Sequence, residues 1–245
     1  MLDIDGTLTP QDPQGKPTKK VIEAIEKAKE HVAVCIVTGR PIFWASPVLK
    51  SLNLYYPCIV TAGSQIINPV TKKVVWQKTI PQKEAEEICE LLRQLELPFV
   101  SPKKTHKRKV VPTYFIPIPK EGQTVLGVPN LTEKKIELLT KHLAKFKNIS
   151  AHRTFGYHGD KDWIQITHAE ATKQHAIVEV AKMLRINTHE MIGVGDGYND
   201  FPLLMACGLK VAMGNAIPQL KEIADYIAPS VEEDGVAHVI ERFIL

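Results

Sequence analysis

The sequence predicts an α/β protein in which a doubly wound parallel, Rossmann-like sheet carries an inserted α+β domain. Two observations predict this fold. Patterns of buried strand and helix alternate at both ends of the chain, whereas the middle shows hairpin and antiparallel strand patterns. Polar side chains also follow several parallel strands at their carboxyl ends, where such sheets bind ligands. We therefore assign residues 1–79 and 168–245 to a discontinuous core, and residues 80–167 to the insert, which we call the cap.

Length and composition indicate an ordinary globular protein. The 245 residues suffice for a large α/β domain with a second, smaller one, and 44% hydrophobic and 24% charged residues are typical values. No apolar run approaches the roughly 20 residues of a membrane span, and the N-terminus has no secretory signal pattern. The four cysteines lack paired or metal-binding spacing, which favours buried thiols in a reducing compartment. We expect a cytoplasmic protein without a membrane partner, and the net charge of +4 identifies no other partner.

The N-terminal part of the core follows a strand–helix–strand–helix–strand order. Thr18 is placed to cap a helix whose apolar residues recur at helical spacing between Val21 and Ala28. The apolar run at residues 32–37 predicts a strand buried on both faces, ending at Thr38-Gly39-Arg40. The remaining predictions here are a helix over 42–52, a strand over 58–61 and a hairpin of residues 66–67 with 74–76.

The middle of the chain predicts the α+β cap. Amphipathic helical patterns cover residues 83–95 and 131–146, and strand patterns cover 114–116 and 163–166. Residues 103–109 form a basic run, which is most simply a solvated loop. Because this loop belongs to the insert, it could instead overhang a cleft and face an anionic ligand.

After the cap the parallel pattern returns. Lys173 opens a predicted helix over 173–184, a buried strand covers 191–194, and a glycine-rich acidic turn follows at 195–200. The elements predicted beyond this turn are a helix over 201–206, a strand over 209–213 and a helix over 218–224, and residues 226–228 and 235–243 follow without an assigned element.

The start of the chain holds two carboxylates, Asp3 and Asp5, followed by Gly6 and Thr7. On an extended segment, residues i and i+2 share a face, so we expect both carboxylates to point into the same space at a strand end. Like charges held this close repel each other unless a cation, a proton or a phosphoryl group lies between them. Taken alone, the stretch could equally be an acidic turn after a short strand.

Polar residues at two further strand ends favour a functional site. Thr38-Gly39 follows one strand, and residues 195–200, with Asp196, Asn199 and Asp200, follow another. Several carboxylates beside a glycine-loosened backbone suit Mg²⁺, which takes few carboxylates and keeps some of its waters. A hydroxyl, backbone N–H groups and the nearby Lys173 would hold phosphate oxygens.

Together these groups suit phosphoryl transfer. A cation neutralises the phosphate charge, so that one carboxylate can attack phosphorus and form an aspartyl-phosphate, which water then hydrolyses. The second aspartate is placed to protonate the leaving alkoxide and later to accept a proton from that water. The residues alone leave open which of Asp3 and Asp5 takes which role.

The same segments resemble the four motifs of the haloacid dehalogenase-like (HAD) phosphatases, in particular the Cof-type branch with a large α+β cap. The matching segments are Asp3 to Thr7 for DxDGT, Thr38-Gly39-Arg40 for the second motif, Lys173 for the third and Gly195 to Asp200 for GDxxND. DxDGT followed by GDxxND is highly specific for the superfamily but not for a substrate. The cap matches only by position and length.

The resemblance implies a role for each of these residues. Asp3 would be the nucleophile and Asp5 the general acid/base. The groups implied to hold Mg²⁺ are Asp3, the backbone carbonyl of Asp5, Asp196 and Asp200, the last either as a direct ligand or one step further out. The residues implied to bind the phosphoryl group are Thr38, Gly39, Lys173 and Asn199.

Three features depart from the family pattern. The turn after the third strand is Ala62-Gly63-Ser64 instead of Asn-Gly-Ala, so an asparagine side chain at the cleft is missing. Lys173 is followed by Gln174 where the family has glycine, which keeps the charge but hinders a close backbone approach to phosphate. Only Met1 and Leu2 precede Asp3, where the family has a full apolar strand. We therefore expect a true start upstream or a truncated form, with a less stable sheet.

The resemblance implies a Mg²⁺-dependent phosphomonoester hydrolase with a mobile cap, acting on a sugar phosphate or on phosphoglycolate. The alternatives are a sugar-phosphate mutase of the same branch, or a non-catalytic protein that binds anions or nucleic acid through the basic run. Apart from a small phosphorylated metabolite we expect no partner such as nucleic acid, and a monomer or homodimer. The cap residues that we expect to contact substrate are His152, Arg153, His158 and Lys107.

Overall fold

The computed structural model describes residues 1–12, 14–101, 120–156 and 161–245, and the structural statements below concern these residues. The basic run at 103–109 with Lys107, the predicted strand over 114–116 and His158 lie outside them. The helices are α1 Lys19–Ala28, α2 Ile42–Leu52, α3 Gln82–Gln94, α4 Glu133–Leu143, α5 Lys173–Leu184, α6 Phe201–Ala206, α7 Pro218–Glu222 and α8 Gly235–Phe243. The strands are β1 Cys58–Val60, β2 Gln65–Ile67, β3 Val74–Gln77, β4 Leu126–Leu131, β5 Ile149–Thr154, β6 Asp162–His168, β7 Ile192–Gly195, β8 Leu209–Ala212 and β9 Tyr226–Ile227.

Local sequence signals explain where the helices begin. The Thr18 side chain accepts a hydrogen bond from the backbone N–H of Val21 and so caps α1, as expected. Thr172 caps α5 in the same way through the N–H of His175, which places Lys173 at the first position of that helix. Within the described part of the chain, no helix is both long enough and apolar enough to cross a bilayer. The four cysteines are buried and unpaired, as predicted.

The start of the chain lies in the middle of a parallel sheet. The N–H of Leu2 donates to the carbonyl of Cys35 at 3.0 Å, and the N–H of Asp3 donates to that of Val194 at 3.1 Å. Residues 1–3 therefore run between residues 35–38 on one side and β7 on the other, with β8 and β9 beyond β7 in parallel. On the far side, residues 36–37 pair with β1, which continues into the antiparallel hairpin of β2 and β3. This is the predicted α/β architecture.

The predicted strand over 32–37 is shorter in the structure than in the sequence pattern. Only Ile36 and Val37 form bridges, to Leu2 and Ile59 respectively. Residues 32–34 form no bridge with the residues that the structure describes. Hydrophobicity thus located the strand correctly, while pairing set its length.

The cap contains a three-stranded antiparallel sheet in the order β4-β6-β5, with helices α3 and α4. Neither β4 nor β5 was predicted. A bulge interrupts β4 between Val128 and Leu131, around Pro129 and Asn130, and β5 is half-buried throughout without an apolar alternation. Such strands are recognisable only once they are paired.

The buried hydrophobic residues form two separate clusters. One includes Leu2, Ile36 and Val194 and fills the core, and the other includes Phe99, Leu92 and Ile166 and fills the cap. All buried members of the second cluster lie between Ile80 and Ile166. This distribution agrees with the proposed division at residues 80–167, which remains a prediction.

A close contact between two backbones brings Lys173 to the sheet edge. The turn at Thr61–Gly63 lies directly against the start of α5, and a Cβ on Gly63 would clash with the carbonyl of Thr172. Gly63 has a φ of +99°, a conformation that favours glycine. Thr61 and Ala62, with φ of 56° and 58°, occupy the left-handed region without being glycine, a strained arrangement of the kind found beside functional sites.

We predict that the cap has its own cooperative core. Leu92 is fully buried in the cap cluster, so Leu92→Ala should cost about 2–5 kcal/mol of unfolding free energy. Leu91→Ala is the matched control, because Leu91 only packs against the cluster half-buried and should cost less. Hydrogen exchange followed by mass spectrometry should show faster opening of cap peptides in Leu92→Ala. Equal losses in the two variants, or equal loosening of cap and core peptides, would contradict this.

Candidate active site

Three buried carboxylates meet at the carboxyl edge of the parallel sheet. Asp3, Asp196 and Asp200 each offer an oxygen that lies within 4.8 Å of the others, and we call them the acidic cluster. They are 3%, 4% and 0% exposed. The ammonium Nζ of Lys173 lies 2.7 Å from Asp3 Oδ1 and 2.6 Å from Asp200 Oδ1. One lysine thus holds acids from the two halves of the core in a single buried group.

The turn after Asp3 is shaped around Asp196. Thr7 donates its hydroxyl hydrogen bond to Asp196 Oδ1 at 3.1 Å, and Gly6 has a φ of +76° with no room for a Cβ beside the same carboxylate. Asn215 donates its side-chain N–H to the carbonyl of Gly6 at 2.8 Å and accepts from the N–H of Val231 at 2.9 Å. The sequence analysis gave Asn215 no role. Like Asp196, however, Asn215 is a polar residue that follows the end of a parallel strand, and this position could have indicated it.

Asp200 is occupied by the protein itself. Its Oδ2 accepts hydrogen bonds from the backbone N–H groups of Asp196 and Gly197, both at 3.0 Å, while its Oδ1 faces Lys173. A carboxylate that accepts from two amides and an ammonium holds the 195–200 turn in shape. It therefore fixes the position of Asp196.

Burial and mutual repulsion change the proton affinities of the acidic cluster. Burial, followed by the charge of Asp200, raises the pKa of Asp3 to about 7. Burial and the charges of Asp200 and Asp3 raise the pKa of Asp196 well above its ordinary value. For Lys173, burial lowers the pKa, but the carboxylates of Asp200 and Asp3 outweigh burial and raise it. The charged forms of the acids are thus unfavourable without further positive charge.

The residues present fit a divalent metal ion. Three carboxylates against one ammonium leave two negative charges uncompensated in a buried site. Carboxylate oxygens are the ligands of hard cations such as Mg²⁺, and a doubly charged ion would balance that excess. A metal dependence is therefore consistent with the donor set of the acidic cluster.

The Asp5 side chain is directed to Arg40 rather than into the acidic cluster. Arg40 binds it with two hydrogen bonds, Nε to Oδ2 at 2.9 Å and Nη2 to Oδ1 at 2.5 Å, and also donates to the carbonyl of Asp12. The chain turns after Asp3, because the carbonyl of Ile4 accepts hydrogen bonds from the N–H groups of Leu8 and Thr9. Contrary to the expectation from the sequence, Asp3 and Asp5 therefore do not lie on one face of an extended segment. Asp5 is still close enough to contribute to the raised pKa of Asp3.

Arg40 is a site residue whose role the sequence did not reveal. It was quoted as part of Thr38-Gly39-Arg40 without a function, yet it is 3% exposed and paired. A buried arginine at a strand end needs a carboxylate partner, and in the structure that partner is Asp5. Only the fold shows that the two meet.

The residues expected to bind phosphate surround a narrow cleft. Lys173 and Asn199 line it from the core, and His152 and Gln165 line it from the cap, so a group bound there would contact both. Thr38 is buried, and its Oγ1 accepts from the N–H of Arg40 at 3.1 Å, which leaves the hydroxyl hydrogen for another acceptor. The backbone of Gly39 faces the cap.

Of the described cap residues expected to contact substrate, the structure brings His152 to the cleft and pairs Arg153 with acids of the cap. His152 lines the cleft, and burial together with the charge of Lys173 lowers its pKa to about 4. Arg153 is instead paired with Asp162 at 2.5 Å and with Glu133 at 2.9 Å. Its guanidinium also stacks over the ring of Tyr198 at 4.5 Å, so it joins the cap to the turn that carries Asp196. Gln165 also lines the cleft; the sequence placed it in a predicted strand and suggested no role for it.

Comparison with known proteins places this geometry in a family. The family model for haloacid dehalogenase-like hydrolases matches residues 1–240. The chain belongs to this family. Among its relatives, YxeH of Bacillus subtilis is 27% identical over 264 residues, covering 100% of this chain and 97% of YxeH. A phosphoglycolate phosphatase of Methanopyrus kandleri is 26% identical over 246 residues, covering 100% of this chain and 96% of the relative.

Solved structures of HAD proteins confirm the fold class. A haloacid dehalogenase-like hydrolase from Bacillus subtilis superposes with a TM-score of 0.80 at 20% identity, covering 99% of this chain and 98% of that one. A sugar phosphatase of HAD subclass IIB superposes with a TM-score of 0.78 at 25% identity, covering 98% and 96%. The α/β core and the α+β insert are thus those of HAD hydrolases, as the resemblance implied.

The raised pKa values predict how Mg²⁺ and pH act together on this HAD hydrolase. With a pKa of about 7 in the folded protein against 3.8 ordinarily, Asp3 binds a proton that the unfolded chain has lost, so its contribution to stability falls as pH rises between those values. Metal binding needs ionised carboxylates, so the stabilisation by Mg²⁺ should grow across the same window. It should reach about 2.7 kcal/mol at a hundredfold excess over Kd.

Thermal unfolding with Mg²⁺ and with EDTA, at about pH 5 and about pH 8, measures this linkage. The midpoint shift caused by Mg²⁺ should be larger at the higher pH and absent in Asp196→Asn. A shift of equal size at both pH values would contradict the prediction.

Proposed function

We propose that the protein is a Mg²⁺-dependent phosphomonoester hydrolase that acts through an aspartyl-phosphate on Asp3. The observation that carries the proposal is the buried carboxylate of Asp3, oriented by Lys173 inside a cluster with two uncompensated negative charges. That arrangement is costly for a structural role, because buried charges without partners destabilise a fold. It suits a site that receives a cation and an anion together.

The chain's own residues have distinct tasks in the proposed reaction. Asp3 Oδ attacks phosphorus, the bond from phosphorus to the ester oxygen breaks, and the leaving oxygen takes a proton from Asp5. Water then attacks the phosphorus of the aspartyl-phosphate and gives its proton to Asp5, which releases inorganic phosphate and restores Asp3. When bound by Asp3, the Asp5 carbonyl and Asp196, Mg²⁺ supplies neutralising charge for the phosphate oxygens.

The remaining residues bind and orient the phosphoryl group. Lys173 supplies a positive charge at the cleft, and Thr38, Gly39 and Asn199 supply a hydroxyl, a backbone N–H and an amide. Asp200 holds the 195–200 turn and Lys173 rather than the substrate. Such fixed donors stabilise charge that develops at phosphorus in the transition state.

We propose a small phosphorylated metabolite as substrate, either a sugar phosphate or phosphoglycolate. Relatives and structural neighbours named as a phosphoglycolate phosphatase and as a sugar phosphatase support this range. No described residue favours the mutase or the non-catalytic alternative, and the basic run on which the latter depends lies outside the described residues.

We predict that Asp3→Asn abolishes the activity. Loss of the nucleophile should reduce Mg²⁺-dependent phosphate release from p-nitrophenyl phosphate by more than about 10³-fold. The matched control is Asp225→Asn, which makes the same change at an exposed acid paired with Lys210 and should leave the rate unchanged. Release of phosphate that survives in Asp3→Asn, or that EDTA does not affect, would refute the mechanism.

Arg40 is predicted to act as a positioning residue for Asp5. Arg40→Lys keeps the charge but loses the two-pronged contact with the carboxylate, so proton transfer to the leaving group should suffer. An alkoxide needs that proton far more than p-nitrophenolate does. Arg40→Lys should therefore lower kcat about tenfold or more for an alkyl phosphate and clearly less for p-nitrophenyl phosphate. An equal loss for both substrates would show that Arg40 is only structural.

A further inference from the structure

Two polar side chains of the cap face the phosphate-binding residues across the cleft. His152 on β5 and Gln165 on β6 are directly opposite each other in the antiparallel register, so they lie side by side on one face of the cap sheet. Both line the cleft that Lys173 and Asn199 line from the core. The Gln165 amide lies 3.1 Å from the position that a Cβ on Gly39 would take.

Gln165 carries an acceptor that no protein group satisfies. Its Oε1 is buried without a hydrogen-bond partner among the described residues. A buried carbonyl oxygen without a donor is unfavourable, and such an atom at a cleft indicates a ligand that supplies the donor. Either orientation of the amide leaves one end that accepts and one end that donates.

His152 adds a second neutral group. One ring nitrogen, Nε2, lies 2.9 Å from the Ser150 hydroxyl, so Nδ1 is the ring nitrogen that could bond to a ligand. Burial and the nearby charge of Lys173 lower the pKa of His152 to about 4, so the ring is uncharged at neutral pH. A neutral imidazole exchanges hydrogen bonds with a hydroxyl but offers no charge to an anion.

The cations that the structure describes around the cleft are already paired with acids. Lys173 contacts Asp3 and Asp200, and Arg153 contacts Asp162 and Glu133. A carboxylate on the leaving group could accept from the Gln165 amide or the His152 ring, but among the described residues around the cleft it would find no unpaired cation, and it could not donate to the Gln165 Oε1. A hydroxyl would donate to one of these groups and accept from the other, which a carboxylate cannot do because it only accepts.

We infer that Gln165 and His152 select substrates whose leaving group carries a hydroxyl near the phosphate, and disfavour those that carry a carboxylate there. The inference rests on the proposed function and deepens it, because it separates polyol and sugar phosphates from phosphoglycolate. Gln165 is the main determinant, since its acceptor has no protein donor.

Three phosphomonoesters of nearly equal size test the selection. They are 2-hydroxyethyl phosphate, ethyl phosphate and phosphoglycolate, which share a P–O–CH2 unit and carry on it a CH2OH, a methyl and a carboxylate group, respectively. The wild-type protein should show the highest kcat/KM for the hydroxyethyl ester, by about tenfold or more over ethyl phosphate, and the lowest for phosphoglycolate. A wild-type preference for phosphoglycolate, or no discrimination, would overturn the inference.

Gln165→Met tests the residue itself, because it keeps the length of the side chain and removes both polar atoms. The ratio of kcat/KM between the hydroxyethyl and ethyl esters should collapse towards one. Gln94→Met, the same change at an exposed position on α3, should keep the wild-type ratio. An equal loss for all three esters in Gln165→Met would assign the residue a structural role and refute the inference.

Hydrolysis of p-nitrophenyl phosphate separates the two levels of proposal. If that ester is hydrolysed with Mg²⁺ while the three esters are not discriminated, only the selection by Gln165 and His152 is wrong. If no ester is hydrolysed, the proposed function and this inference are both wrong.

Discussion

The buried contact of the Lys173 ammonium with Asp3 and Asp200 is the interaction on which the site depends. It joins Lys173 to Asp3, which lies 170 positions away in the chain, and to Asp200, which lies 27 positions away. Without the lysine, the almost fully buried carboxylates of Asp3 and Asp200 would face each other and Asp196 without the positive charge that now lies between them, which a fold rarely tolerates. The contact forms only when the parts of the core before and after the cap have come together. The chemistry is thereby tied to completion of the fold.

The two aspartates of one short motif have different environments. Asp3 is buried among other acids and held by a lysine, whereas Asp5 is partly exposed and held by an arginine. Two carboxylates of equal intrinsic acidity therefore have different surroundings in the folded chain. The turn that separates them depends on Gly6 and on the hydrogen bonds of Asn215.

The described part of the cap contributes uncharged polar side chains to the cleft. Its strands β5 and β6 present His152 and Gln165 to the cleft, while Arg153 and Phe155 contact Tyr198 on the core. Tyr198 lies in the turn between the metal-site candidate Asp196 and the phosphate-site candidate Asn199. The position of the cap and the shape of that turn are thus linked by direct packing.

The sequence by itself determined the α/β fold, most helices and the set of acids and lysine at the sheet edge. These features depend on local periodicity, capping and strand-end chemistry, as α5 shows, which begins at Lys173 after the Thr172 cap. Only the tertiary structure decided the pairing of Arg40 with Asp5, the roles of Asn215 and Gln165, and the existence of β4 and β5. Those features depend on partners distant in the chain, and no local pattern encodes which buried polar group will find which partner. Side chains such as Arg153, which pairs within the cap, therefore differ from expectation for a physical reason: the sequence states their charge but not their neighbours.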